Sequence, residues 1–174
     1  DTLARGLIGA GIEKGDRVGI WAPNCAEWTL VQYATAKVGA IIVNVNPAYR
    51  TQELAYALNQ SGLRLLVAAE RFKTSDYRAM VNEVRKDTHA LDRVVYLGTE
   101  DWDELLTDGR DLPADAVPQR MRTLAPGDAI NIQYTSGTTG HPKGATLSHR
   151  NILNNGFFVT ETIHFTCEDR LAIP

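Results

Sequence analysis

Tyr134-Thr135-Ser136-Gly137-Thr138-Thr139-Gly140-His141-Pro142-Lys143-Gly144 is the stretch from which the rest of the chain is best read. It follows an alternating run, Ala129 to Tyr134, which predicts a short strand with Ile130, Ile132 and Tyr134 on one face. Directly after that strand come three glycines, four hydroxyl side chains and one lysine. Glycine tolerates the positive φ that a concave turn of inward-facing N–H groups requires. The hydroxyls add donors that rotate to suit a ligand, and Lys143 adds a point charge on a flexible stem. No acidic residue lies between Asp128 and Glu161, so the local charge is positive although the net charge is −3. Many short donors, one cation and no carboxylate are what a polyphosphate needs.

Two other readings compete. Most Gly/Ser/Thr clusters are plain surface turns. A Walker phosphate loop would end in Gly-Lys-Ser/Thr, but here Pro142 precedes Lys143 and Gly144 follows it. Over all eleven residues the stretch instead resembles the phosphate-loop signature of the acyl-adenylate-forming enzymes. That family includes acyl-CoA synthetases, luciferases and the adenylation domains of peptide synthetases. The run Val43-Asn44-Val45-Asn46-Pro47-Ala48-Tyr49, with Glu53-Leu54 and Leu58-Asn59-Gln60-Ser61-Gly62, resembles the fatty acyl-CoA synthetases within it.

The resemblance implies a division of labour within the loop. Thr135, Ser136, Thr138, Thr139 and Lys143 match the positions that reach the β and γ phosphates of ATP. Thr138 also matches a position that helps hold Mg2+, and Gly137, Gly140 and Gly144 shape the backbone. His141 occupies a variable position and is expected to face solvent, while His149 is expected to cap or pack. The implied reaction joins a fatty acid to coenzyme A through an acyl adenylate, with ATP, Mg2+ and coenzyme A as the small molecules used. The resemblance also leaves room for a homo-oligomer of the whole enzyme.

Further expectations concern extent. Residues 1–174 match part of a large N-terminal AMP-binding domain, with more of that domain and a C-terminal domain expected elsewhere. The family's Tyr-Gly-x-Thr-Glu element, its ribose-binding aspartate and its C-terminal lysine have no counterpart among these residues, so the chain is expected not to catalyse the reaction alone. Three alternatives stay open: another adenylating enzyme, a phosphotransferase, or a nucleotide-binding module without chemistry.

Composition sets outer bounds. The 174 residues, 44% apolar and 22% charged, suffice for one domain with a core. No basic run interleaved with aromatics suggests a nucleic-acid partner. No apolar run approaches a transmembrane span. The four histidines form no ligand cluster. Cys25 and Cys167 lack metal or redox spacing and are expected to be buried thiols in a reducing, cytoplasmic setting.

The periodicities predict an α/β fold, a layered, mostly parallel sheet with helices on its faces. Strands are expected at Arg17–Trp21, Ala40–Val45, Leu65–Ala69, Arg93–Leu97, Ala129–Tyr134, Thr146–Ser148 and Arg170–Ile173. A helix capped by Asn24 is expected to bury Ala26, Leu30, Val31, Ala34 and Val38 and to end at Gly39. A second, capped by Thr51, is expected to bury Leu54, Ala55 and Leu58 and end before Gly62. Tyr77, Met80, Val81 and Val84 mark a third, Trp102 to Leu106 an acidic turn, and His149 to about Phe158 a last helix. Leu3, Leu7 and Ile8 mark a helix at the start. Residues 107–126 read as an exposed connection, and Trp21, Trp28 and Tyr33 as core.

Overall fold

Short apolar strands alternate with amphipathic helices along most of the chain, and that alternation forces parallel pairing through helical crossovers. The computed structural model describes residues 1–135 and 142–171. In chain order the elements are α1 (Thr2–Gly9), β1 (Arg17–Trp21), α2 (Ala26–Val38), β2 (Ile41–Asn44), α3 (Thr51–Ser61) and β3 (Leu65–Ala68). A small hairpin of β4 (Arg71–Phe72) and β5 (Ser75–Asp76) leads into α4 (Tyr77–Val84). There follow β6 (Arg93–Tyr96), α5 (Glu100–Thr107), α6 (Ala116–Met121), β7 (Ala129–Thr135), β8 (Lys143–Ser148) and α7 (His149–Thr162).

Six strands form one sheet in the order β6-β3-β1-β2-β7-β8. The first five run parallel, and β8 returns antiparallel beside β7. The chain steps from β1 to β2, then crosses back over β1 to β3. This reversal lets helices cover both faces. Val18, Ile20, Ile42, Leu65, Val67 and Val95 pack with α1, α2 and α5 on one side. Trp21, Val43, Leu66, Ala68 and Tyr96 pack with α3 and α4 on the other. Successive strand residues alternate between the two cores, as a pleated strand buried on both faces must.

The helix ends follow local chemistry. Gly39 and Gly62 close α2 and α3 in the left-handed region, at φ 76° and 60°. Asp76 caps α4 by accepting from the Ala79 N–H at 3.0 Å. Asn24 is not the cap of α2: the extended Cys25 immediately precedes the first helical residue. Thr51 is likewise the first residue of α3, and the Glu53 carboxylate reaches back to accept from the Arg50 N–H at 3.1 Å.

The buried stripe of α2 also differs from expectation. It is Val31, Ala34, Thr35 and Val38, whereas Leu30 and Tyr33 are 54% and 66% exposed and Ala26 is exposed too. Thr35 can be buried because its hydroxyl donates to the Val31 carbonyl at 2.9 Å, so the helix rotates its i, i+3, i+4, i+7 face by a polar residue the apolar count ignores. Trp21 is fully buried and Trp28 is half-buried against the α2 core. The thiols differ similarly, Cys25 being half-buried and Cys167 exposed.

Residues 107–126 are not all connection, since α6 buries Val117. β8 begins at Lys143, three residues earlier than the apolar pattern suggests, because pairing with β7 supplies what its own residues lack. α7 continues through Asn154-Asn155-Gly156 to Thr162, started by a reciprocal cap between Ser148 and Asn151. Arg170 and Leu171 have no strand structure, and the remainder of that expected strand lies outside the described residues.

Two phenols tie loops to this frame. Tyr77 stacks on Trp21 with ring centroids 3.6 Å apart, and its hydroxyl donates to the Pro47 carbonyl at 2.6 Å. Tyr134 donates from β7 to the Ala57 carbonyl of α3 at 3.2 Å. Burial pushes both hydroxyls up to about 12. A raised tyrosine pKa favours the folded state below the unfolded value of about 10, and that advantage is lost as pH rises toward 12. Stability should therefore be level near neutrality and fall between about pH 10 and 12. In Tyr134→Phe the alkaline fall should be shallower, at a cost of about 1 kcal/mol near neutrality; urea titrations across pH measure both.

Close helix contact supplies a second check. A Cβ on Gly6 of α1 would lie 1.9 Å from the Leu105 carbonyl oxygen of α5, with no flexible neighbour to give way. Gly6→Ala should lower stability by roughly 1–3 kcal/mol or more through overpacking. At Gly127 an added Cβ meets nothing within 4 Å. Gly127→Ala should leave the urea midpoint close to that of the unaltered chain.

Candidate functional site

β7 lies between β2 and β8, with backbone pairing on both edges. Its start is held by Asp128, whose carboxylate accepts from the Ala125 N–H at 2.6 Å and pairs with the Lys14 ammonium at 2.7 Å. The hydrogen bond from Lys14 holds the Asp128 carboxyl below its ordinary range. Its end is held on one face by Tyr134. Ile132 and Tyr134 contribute to the α3–α4 core as the alternation predicts, but Ile130, expected on the same face, lines the cavity between α2 and α7 beside Ile42, where the ladder is irregular between Ala129 and Asn131.

Thr135 is the last residue of β7 and Lys143 the first of β8, and the two are register partners. The Thr135 hydroxyl lies 3.4 Å from the Lys143 carbonyl as donor, and both residues are exposed. The sheet thus brings the two ends of the loop together at the carboxyl end of its parallel strands. In open α/β sheets this is where ligands bind. Gly144 pairs with Tyr134, and a Cβ there would approach Ile132 Cγ2 to 2.9 Å. A side chain at this position would need Ile132 to shift. Ser136, Gly137, Thr138, Thr139, Gly140 and His141 lie outside the described residues.

Beside the loop's root is a small cavity of 290 Å3, lined in part by Asn24, Trp28, Asn44, Asn46, Gln133 and Tyr134. It sits at the carboxyl ends of β1, β2 and β7. Asn44 Nδ2 donates to Gln133 Oε1 at 2.6 Å across the β2–β7 seam. Gln133 was not singled out in the sequence, and Asn44 entered only as one member of the run Val43 to Tyr49. The available signal was an asparagine between Val43 and Val45, in a run that otherwise reads as pure strand. His149 begins α7 and its N–H donates to the Asp128 carbonyl at 3.2 Å. The cap itself is Ser148, and His149 packs beside it with Nε2 buried.

A larger cavity of 660 Å3 separates α2 from α7, with Tyr33, Ile42, Ile152, Leu153 and Phe157 among its walls. It is predominantly apolar and contains neither Thr135 nor Lys143. Among the described residues, no group of three or more His, Cys, Asp or Glu side chains could hold a metal ion. The donor set at the loop is hydroxyls and one ammonium, which suits phosphate oxygens. No helix of the described residues is long and apolar enough to cross a membrane.

Known proteins share both the sequence and this arrangement. The mouse protein named medium-chain acyl-CoA ligase ACSF2, mitochondrial, is 38% identical over 197 residues, covering 100% of this chain and 32% of its own length. Among solved structures, a long-chain-fatty-acid-CoA ligase (FadD1) from Archaeoglobus fulgidus superposes with a TM-score of 0.73 at 26% identity, over 97% of this chain and 32% of that one. The N-terminal domain of FACL13 from Mycobacterium tuberculosis superposes with a TM-score of 0.59 at 27% identity, over 85% of this chain and 36% of that domain's chain. The chain spans about a third of the length of the curated relatives it matches. Residues 1–173 match the description AMP-binding enzyme. With the loop ends in register at the carboxyl edge of a doubly wound sheet, the chain belongs to the AMP-binding enzyme family.

Proposed function

We propose that this chain is part of the large N-terminal domain of an ATP-dependent acyl-CoA synthetase, acting on a fatty acid. In that reaction the carboxylate attacks the α-phosphate of ATP, forming an acyl adenylate and releasing pyrophosphate. The thiol of coenzyme A then displaces AMP to give the thioester. The single observation that carries the reading is the in-register placement of Thr135 and Lys143 at the carboxyl edge of the sheet. They bracket a stretch with no carboxylate to repel a polyphosphate.

The loop's contribution is positional and electrostatic. Lys143 and the hydroxyls of Thr135, Ser136, Thr138 and Thr139 would hold the β and γ phosphates, so that pyrophosphate departs in line and its developing charge is offset. Backbone N–H groups of the stretch containing Gly137 and Gly140 would add donors at close range. Mg2+ would arrive on the phosphate oxygens, with the Thr138 hydroxyl as its protein ligand, and would neutralise part of the charge of the departing group. The likeness to fatty acyl-CoA synthetases around Val43–Tyr49 supports the acyl class, and the mouse relative is named a medium-chain acyl-CoA ligase. The two free thiols suit a reducing compartment, and we place the protein in the cytoplasm.

The test is Lys143→Ala in the longer parent enzyme. Losing one charge-assisted hydrogen bond, worth about 1.5–3 kcal/mol, should slow acid-dependent pyrophosphate–ATP exchange by roughly ten- to a hundredfold. Thioester formation started from synthetic acyl adenylate should stay within a few-fold of the unaltered enzyme. Equal losses in both half-reactions would mean that Lys143 shapes the protein and does not hold phosphate.

A further inference from the structure

Asn44 ends β2 and stands opposite Gln133 of β7 at the final paired position of that ladder. One end of its amide donates to Gln133 Oε1 at 2.6 Å. The other end, Oδ1, is sealed from solvent and has no hydrogen-bond partner among the described residues. Asparagine is depleted in strands, and an unpartnered buried acceptor costs free energy. Val43 and Val45 show what the strand accepts on either side. A residue that breaks local rules for a single side-chain bridge points to a functional demand on that bridge.

That demand lies one step along the chain. Pairing between β2 and β7 stops at Asn44 and Gln133, two residues before the end of β7 at Thr135. Beyond this point β7 keeps its pairing with β8 and, on its other face, the Tyr134 hydroxyl bond to α3. Among the described residues, the side-chain bridge is therefore the last hydrogen-bonded tie between β7 and β2 before Thr135.

We propose that Asn44 and Gln133 are a positioning pair that fixes the direction in which β7 delivers Tyr134 and Thr135. This rests on the reading of Thr135 to Lys143 as the phosphate loop. A purely structural bridge and a positioning bridge differ in sign. If the bridge only stabilised the sheet, removing it would lower stability. If it positions the loop, Asn44→Val removes an unpartnered oxygen and installs a strand former, so stability should hold or rise while the loop's root loosens.

The experiment compares Asn44→Val, Gln133→Met and the double variant in this chain by thermal unfolding and residue-resolved amide hydrogen exchange. The expected result is an unchanged or higher midpoint for Asn44→Val, with exchange at Tyr134, Thr135, Lys143 and Gly144 faster by about fivefold or more, as for one lost hydrogen bond. Gln133→Met should match it, and the double variant should add nothing, because the pair acts as one unit. Unchanged exchange in both single variants would overturn the proposal, as would faster exchange spread across the sheet with a lowered midpoint. In the parent enzyme the KM for ATP should rise about fivefold with the KM for the acid unchanged; equal shifts in both would also overturn it. A parent that uses no ATP would sink the proposed function, while the exchange data would still decide the role of the pair.

Discussion

The pairing of β7 with β2 is the constraint on which the rest depends. β2 is an apolar strand committed to the interior by Ile42 on one face and Val43 on the other. β7 is a weaker strand, with Asn131 and Gln133 among its residues, and would gain little from burial alone. Docked on β2 in parallel, it inherits a fixed height and direction. Everything at the candidate site follows from that docking. Thr135 emerges at the carboxyl edge because β7 runs the same way as β1 and β2. Lys143 returns to the same edge because β8 runs back along β7.

Two further features make the docking specific. The double winding around β1 buries Ile42 and Val43 of β2 in the cores on its two faces. The tie points at either end of β7 are polar. Asp128 fixes its entry through Lys14 and the Ala125 N–H. Tyr134 fixes its exit through the Ala57 carbonyl. A strand held by backbone pairing on both edges and by side chains at both ends fixes the places of Thr135 and, across the β7–β8 ladder, Lys143. Pre-organisation of this kind is what an electrostatic site needs, since donors that must first be ordered contribute less at the moment of reaction.

Much of this was legible in the sequence because it rests on local patterns. The apolar runs of β1, β2 and β3 and the glycines closing α2 and α3 state their structure within a few residues, and the parallel sheet follows from their alternation. The loop was legible as chemistry, from residue types rather than shape. What was hidden depends on contacts between distant segments. The burial of Thr35, which turns α2 so that Leu30 and Tyr33 face outward, needs a hydroxyl bond to the preceding turn that apolar periodicity ignores. The early start of β8 at Lys143 is created by β7, since Lys143, Gly144 and Ala145 have little strand preference of their own. The bridge from Asn44 to Gln133 joins residues 89 apart in sequence, and no local pattern announces it. α6 was missed for a similar reason, its one buried residue, Val117, being fixed by packing against the α1–α2 layer.

We propose that the sheet's carboxyl edge, where Thr135 and Lys143 stand in register, holds a polyphosphate. Titrating the isotopically labelled chain with magnesium pyrophosphate, while following its backbone amide resonances, tests this most directly. With phosphate contacts alone and no grip on a nucleoside, affinity should be weak, with a dissociation constant on the order of 1 mM. The account predicts saturable shifts concentrated at Thr135 to Gly144, with smaller ones at Gln133 and Asn44. Saturable shifts centred on the α2–α7 cavity, or none at the loop up to tens of millimolar, would contradict it.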